Sequence, residues 1–295
     1  MESTRASLNK GLQKRAYYTR DSRIVWFLAK VNNDFFNSVN KFIPPGINLR
    51  LKFVRARPEL CLQAHQDNAN PRRYRVNIID PTLYLTRAKI HPVLFVDLNA
   101  RLLLEPARYN FTRTHVKPVN IPQHTTSFTI DNVTTGPLPK RMFVVFILRE
   151  AYDGHYQRNI YNYQNINLIR IALYVNGRCI PQTPYAPRFT GNNPEYGRLY
   201  NSVFSVLGQL GTSRGIAIHR DEYPNGYCLI GFDLTTGKTA YRASPLALKK
   251  TGNTRLVFTL SERTNDPFVA LFFWESDDLL KIDGDRNVYT SSPQS

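Results

Sequence analysis

Cysteine is scarce in this chain of 295 residues: Cys61, Cys179 and Cys228 are an odd three, with no CxxC or CxxH spacing. Each stands in an apolar, strand-like run, so packed and reduced thiols are expected, not a disulfide framework or a thiolate metal site. Long apolar runs are missing too. The longest reach about a third of the ~20 residues that a membrane-spanning helix needs. Met1–Lys30 holds no uninterrupted apolar core of signal-peptide length. Histidine pairs are lacking as well. His65, His91, His115, His124, His155 and His219 fall at no HxH, HxxH or HxxxH spacing, the pattern that adjacent strand positions need to bind a metal. No GxSxG, Walker or GxGxxG stretch occurs. The expectation is therefore no catalytic residue, no cofactor-binding residue and no metal ligand.

Two stretches imitate sites without completing them. Asp283-Gly284-Asp285 opens like a calcium loop, but Asn287 falls at the fifth position and Gln294 at the twelfth, so a solvated hairpin end fits better. Asn132-Val133-Thr134 is a glycosylation triplet only in a secreted chain.

Acidic residues are few against basic ones, 22 to 39, which leaves a net charge of +17. The excess is lopsided. Residues 1–117 hold 21 Lys/Arg against 8 Asp/Glu, a net +13, and residues 118–295 hold 18 against 14, a net +4. A half so basic predicts a surface that attracts polyanions, beside the blander reading of a well-solvated exterior. Cations and aromatics mix in Arg15-Ala16-Tyr17-Tyr18-Thr19-Arg20 and in Pro71-Arg72-Arg73-Tyr74-Arg75. Stacking platforms for single strands use such mixtures, and so do subunit interfaces. No signature of a known nucleic-acid-reading motif accompanies them.

What the chain has in quantity is β-forming residues and turn-makers: 17 Tyr, 17 Phe, 19 Pro and 15 Gly. The stretch Leu138–Pro181 organises the rest. An apolar strand, Met142–Leu148, leads through a polar, aromatic-rich connection to a long strand whose Ile169, Ile171, Leu173 and Val175 are apolar while Arg170, Ala172 and Tyr174 turn the other way. Asn176-Gly177 is the preferred pair for a tight type I′ turn, and Arg178 starts the return strand.

Further strands are expected at 24–29, 47–54, 59–64, 74–90, 112–115, 125–130, 227–232, 254–260, 268–274 and 279–282. Helical turns fit Asp34–Phe42, a short helix fits Pro92–Glu105, and a longer one fits about 194–210 with Gly211 as its stop. Residues 1–23 read as a basic arm, Val116–His124 as a linker and Gln182–Asn193 as a loop. Runs of strands with few helices indicate a mainly β, antiparallel sandwich.

In that order the segments resemble the double jelly-roll major capsid protein, or hexon, of Polinton/Maverick elements and adintoviruses. The resemblance is carried by Gly11-Leu12-Gln13-Lys14-Arg15, Asn33-Asp34-Phe35-Phe36 and Ile43–Leu51. It continues in Leu138-Pro139-Lys140-Arg141, Ile171–Gly177, Tyr223–Tyr227 and Ile282–Val288. No one of these is diagnostic; their order and spacing together are fairly specific. Where the family has an Asn-Pro-Phe-Asn-Phe run, this chain has Asn159-Ile160-Tyr161-Asn162-Tyr163. Family members also carry a stretch upstream of the position where Met1 falls.

The resemblance implies a double jelly roll, with residues 1–117 as the later part of the first domain and 118–295 as the complete second. It implies a non-enzymatic structural protein of the virion whose homotrimers form capsomers, with neighbouring capsomers and a single jelly-roll penton protein as partners. Charge alone would place the basic half against packaged DNA. A first domain without all its strands would leave an apolar patch and a sheet edge open near Trp26, Phe27 and Phe53. The competing reading is a non-viral β-sandwich module for nucleic acid or another polyanion, and an enzyme ranks third.

Overall fold

The computed structural model describes residues 10–39, 41–64, 73–212, 215–241 and 250–290. Helices α1 (Lys10–Thr19), α2 (Asp34–Ser38), α3 (Pro58–Cys61) and α4 (Pro92–Leu104) precede the strands. Then come β1 (Ala107–Ile121), β2 (Ser127–Ile130), β3 (Thr135–Pro137), β4 (Arg141–Leu148), α5 (Arg149–Asp153), β5 (Tyr163–Gln164), β6 (Leu168–Val175) and β7 (Arg178–Tyr185). The chain continues with α6 (Gly197–Val206), β8 (Asn225–Gly226), β9 (Ile230–Asp233), β10 (Thr251–Leu260), β11 (Phe268–Ile282) and β12 (Val288–Thr290). It divides into two compact units. One comprises 1–27, 56–74 and 115–276; the other comprises 28–55, 75–114 and 277–295.

Two five-stranded sheets form, with eight strands ordered β1-β11-β4-β9 and β2-β10-β6-β7, β12 pairing with β11 and β3 with β10. Taken along the chain, the eight strands join the two sheets in the sequence first, second, first, second, second, first, second, first. That alternation is the wiring of a jelly roll, two interlocked Greek keys.

Its core lies between the sheets. Met142, Val144 and Phe146 of β4 and Ala270 and Phe272 of β11 meet Ile171 and Leu173 of β6 and Leu256 and Phe258 of β10, all fully buried. Each large side chain so enclosed contributes about 1.5–3 kcal/mol. The rings of Phe146 and Phe258, from facing sheets, meet edge to face at 5.2 Å.

Why β4 is apolar at every position follows from a second cluster. Val145 and Ile147 point away from the core and pack with Val269, Leu271 and Ala151. Tyr152, Ile160 and Tyr163 complete the cover. This sheet is buried on both faces, so its strands read as continuous apolar runs. The other sheet is covered on one. In β10, Thr254, Leu256, Phe258 and Leu260 are buried, while Arg255 is exposed and Val257 and Thr259 are half-buried.

The central hairpin forms as expected: Asn176 and Gly177 both have positive φ, 48° and 81°, as a type I′ turn requires. One detail differs. Leu168, not Ile169, is buried, because the pairing of β6 with β10 shifts register between Thr259 and Leu260. Such an irregularity moves the following residue to the other face.

Helix α6 is shorter than 194–210 and ends at Gly208, not Gly211. Gly208 has φ 68°, its N–H bonds to the Ser205 carbonyl, and Gln209 N–H reaches Phe204 O at 2.8 Å. A left-handed glycine with these back-bonds terminates a helix. The helix buries Leu199, Ser202, Val203 and Val206. Its backbone passes so close to β9 that a side chain at Gly231 would put Cβ 2.9 Å from the Ser202 carbonyl oxygen. Glycine lets the two backbones meet there, and Gly231 N–H donates to Ser202 Oγ at 3.1 Å.

Three further expectations are corrected. Val116–Ile121 is part of β1 and not a linker, and the two C-terminal strands are one, β11. Residues 24–29, 47–54 and 74–90 are not strands, and 59–64 includes helix α3; among the described residues no strand precedes Ala107. Alternation and β-propensity favour an extended backbone, but a strand exists only when a neighbour accepts its hydrogen bonds. Helix α1 replaces the expected arm; with no apolar stripe, periodicity could not announce it.

The smaller unit has its own packing. The Phe35 ring contacts Tyr109 and Phe111 at 5.9 and 5.6 Å, and Asp34 accepts hydrogen bonds from Thr114 N and Oγ1 at 2.8 and 3.0 Å. Arg113 pairs with the buried Asp278 at 2.7 Å. Asp283 closes the β11–β12 hairpin, accepting from Asn287 N at 2.8 Å, Asn287 Nδ2 at 3.0 Å and Tyr289 Oη at 3.1 Å. These bonds, led by that from the Asn287 side chain, hold the Asp283 pKa below the ordinary aspartate value.

A lowered folded-state pKa means that the carboxylate supports the hairpin at all pH above the unfolded value and ceases to as pH falls through the folded one. An NMR titration is expected to show Asp283 protonating below ordinary aspartate, with β12 amide shifts changing in step. A midpoint at or above the ordinary value would contradict this.

Candidate functional site

The chemistry-bearing side chains are dispersed. His91 caps α4 with Nδ1 3.4 Å from Val93 N, and His115 stacks on Trp274 at 5.3 Å with Nε2 3.0 Å from Ser276 Oγ. His124 sits in a turn at φ 61°, His219 N–H donates to Glu222, and His65 lies outside the described residues. Among the described residues no group of three His, Cys, Asp or Glu is placed to hold a metal.

The cysteines differ more than their sequence setting suggests. Cys228 is fully buried, and burial pushes its thiol up to about 12. Cys179 is half-buried, and burial raises it, with the Arg170 charge opposing. Cys61 is exposed, contrary to expectation, because it ends helix α3 and not a packed strand.

A hollow of about 280 Å³ opens beside α5, between Leu148 and Pro267. Its cations are already matched. Arg149 Nε stands 2.7 Å from Asp153 Oδ2, Arg158 Nε 3.1 Å from Glu150 Oε2, and His155 Nε2 3.4 Å from Glu150 Oε1. The hydrogen bond to Asp153 raises the Arg149 pKa further. Asp266 adds one more carboxylate to the lining, and with both arginines paired the hollow offers no unpaired cation to an anionic ligand.

The surface offers more. On the outer face of the β2-β10-β6-β7 sheet the guanidinium of Arg255 lies 5.0 Å from the centre of the Tyr174 ring, its cross-strand partner. Arg255 and Arg170 are exposed and Tyr174 is half-buried, so this face presents a row of cations that the alternation of β6 and β10 could have announced.

The two cation–aromatic mixtures part ways. Of Pro71–Arg75 only Arg73–Arg75 are described, and there the Tyr74 ring packs edge-on against Tyr156 at 5.2 Å. In α1 the rings are free: Tyr17 is 57% and Tyr18 63% exposed, with Lys14, Arg15, Arg20 and Arg23 exposed around them. Trp26, Phe27 and Phe53 are each exposed, at 85%, 86% and 68%, but none of them lies on a strand, so the open sheet edge expected beside them is not there.

No family model matches the chain, and no curated protein matches it. Three solved structures are similar in part. The cryo-EM structure of the Sputnik virophage aligns with a TM-score of 0.41 and 11% identity, over 65% of this chain and 40% of that one. The PBCV-1 virus capsid aligns at 0.37 and 11% over 64% and 52%, and the mavirus major capsid protein at 0.31 and 14% over 65% and 44%. The chain thus spans about half or less of each.

Proposed function

We propose that this chain is a major capsid protein, a structural component of a viral or virus-like shell in which trimers form the capsomers. One observation carries the reading: the eight strands order as β1-β11-β4-β9 against β2-β10-β6-β7. A jelly roll serves many functions, so the fold narrows the choice without making it. What turns it toward a shell is the ordered set of segments, from Gly11-Leu12-Gln13-Lys14-Arg15 to Ile282–Val288, which resembles the hexons of Polinton/Maverick elements and adintoviruses.

In this reading the complete domain is a second jelly roll that opens with β1 at Ala107, ahead of the boundary expected at 117/118, and the residues before it belong to the later part of a first. The protein works in the virion, not as an enzyme. Its partners are two more copies of itself, neighbouring capsomers, a single jelly-roll penton protein and, through its basic half, packaged DNA. A closed trimer uses heterologous contacts, one patch meeting a different patch, and aromatic and arginine side chains suit them.

Light scattering and negative-stain imaging of the expressed full-length protein test this. Threefold-lobed particles with the mass of three copies are expected. A stable monomer at high concentration would count decisively against the shell and favour the polyanion-binding module.

A further inference from the structure

We propose that α1 and the turn after it, from Lys14 to Arg23, form a binding site for single-stranded nucleic acid. Lys14, Arg15, Arg20 and Arg23 would hold phosphates, and Tyr17 and Tyr18 would stack on bases. The inference rests on the polyanion part of the function proposed above and is independent of assembly.

Three observations converge on it. The first is charge. Lys10–Arg23 carries five cations and one carboxylate, Asp21, whose ion pair among the described residues is with Arg20, at 4.0 Å. Such a run attracts any phosphate backbone.

The second is the state of the rings. Tyr17 and Tyr18 meet edge to face at 5.5 Å with an 82° angle between their planes. More than half of each side chain is exposed, and Arg20 lies 5.0 Å from the centre of the Tyr17 ring. Lys14 is three and four residues from the tyrosines, so it shares their side of the helix. Cations around open aromatic faces are what a flexible strand uses, with phosphates on the charges and bases on the rings. In an intact duplex the base faces are already stacked, which is why the site is assigned to single strands.

The third is the helix itself. From Gln13 to Thr19 every side chain of α1 is exposed, so among the described residues nothing packs over this part of the helix. A ten-residue helix is marginal in water without tertiary contacts, and a bound polyanion would supply them. A lipid surface is a poorer occupant. Binding at a membrane interface needs a broad apolar face, and Leu12 and Ala16 are the only aliphatic residues larger than glycine in KGLQKRAYYT.

Fluorescence anisotropy with the full chain and a labelled oligothymidine of twenty nucleotides tests the proposal, with a twenty-base-pair duplex, heparin and phosphatidylserine vesicles as competitors. Binding to the oligothymidine is expected to weaken with salt, with a log–log slope of about −2 to −3 for four cations on a single strand. Lys14→Glu with Arg15→Glu should reduce affinity more than tenfold. Tyr17→Ala with Tyr18→Ala should reduce it about tenfold or more for the oligothymidine while leaving heparin binding unchanged, and Tyr17→Phe with Tyr18→Phe should restore it. Unchanged thermal unfolding of each variant keeps the comparison to binding.

The proposal is overturned if charge reversal leaves oligothymidine affinity unchanged, if the alanine pair weakens heparin equally, or if duplex or vesicles bind more tightly. Light scattering on the same samples separates the two readings. Oligothymidine binding by a protein that stays monomeric supports this site and refutes the shell, whereas assembly without that binding refutes the site alone.

Discussion

Replacing Phe146 with alanine is expected to lower the stability of the sandwich by about 3–5 kcal/mol, the usual cost of emptying a large aromatic site in a packed core. Phe146 is completely buried and reaches across from β4 to Phe258 on β10, so its ring belongs to both sheets at once. Neither sheet can move in to fill the space without pulling away from its own hydrogen-bonded neighbours. A typical domain has only about 5–15 kcal/mol in total, so a third or more of the margin would go. Urea unfolding measures it as a lower midpoint with the slope unchanged. The exposed Phe27 provides the comparison: Phe27→Ala should change stability by less than about 0.5 kcal/mol. A loss under about 1 kcal/mol at Phe146 would mean that the two sheets are not packed through it.

Arg113→Met is expected to cost about 2–4 kcal/mol. The Asp278 side chain is wholly enclosed, and Arg113 Nε stands 2.7 Å from its Oδ2. Taking away the cation leaves a buried carboxylate without its counter-charge, with neutral donors such as Leu279 N–H at 2.8 Å still on it, and removing one partner of a buried pair ordinarily costs about 3–5 kcal/mol. The figure is placed lower because Arg113 keeps 32% of its side chain in water, which screens the pair. The double variant Arg113→Met/Asp278→Leu should recover most of the loss, since an apolar pair of similar size asks for no compensation. A double variant as unstable as the single one would show that volume, not charge, is at stake. Urea unfolding followed by the β12 amide signals reports on this unit directly.

How far the sequence could be read depended on whether a feature is local. The Asn176-Gly177 turn was legible because its two residues accept positive φ regardless of what surrounds them. The alternation of β10 was legible because one of its faces is solvated. Strands at 24–29, 47–54 and 74–90 were not, since extended preference is a property of a segment and pairing is a property of two. Leu168 took the place of Ile169 for the same reason: Thr259 and Leu260 of β10 face Arg170 and Leu168, which leaves Ile169 as an extra residue that only the pairing reveals. At the candidate site, composition marked both cation–aromatic mixtures equally. Only the fold distinguishes Tyr74, committed to Tyr156, from Tyr17 and Tyr18, committed to nothing larger than each other and Arg20.

The order in which strands enter the two sheets has a consequence for how the protein is made. On β4, Phe146 pairs with Ala270 of β11, and on β2, Thr129 pairs with Val257 of β10. The partners lie so far downstream that, at about 5–20 residues per second, a ribosome needs on the order of ten seconds to supply them. The β6–β7 hairpin can close almost as soon as it emerges. Met142–Leu148, apolar on both sides and destined for the middle of a sheet, must wait with its edges open. A chaperone that shields this run during synthesis, or a translation rate that shortens the wait, would then govern the yield of folded protein more than the stability of the finished sandwich does.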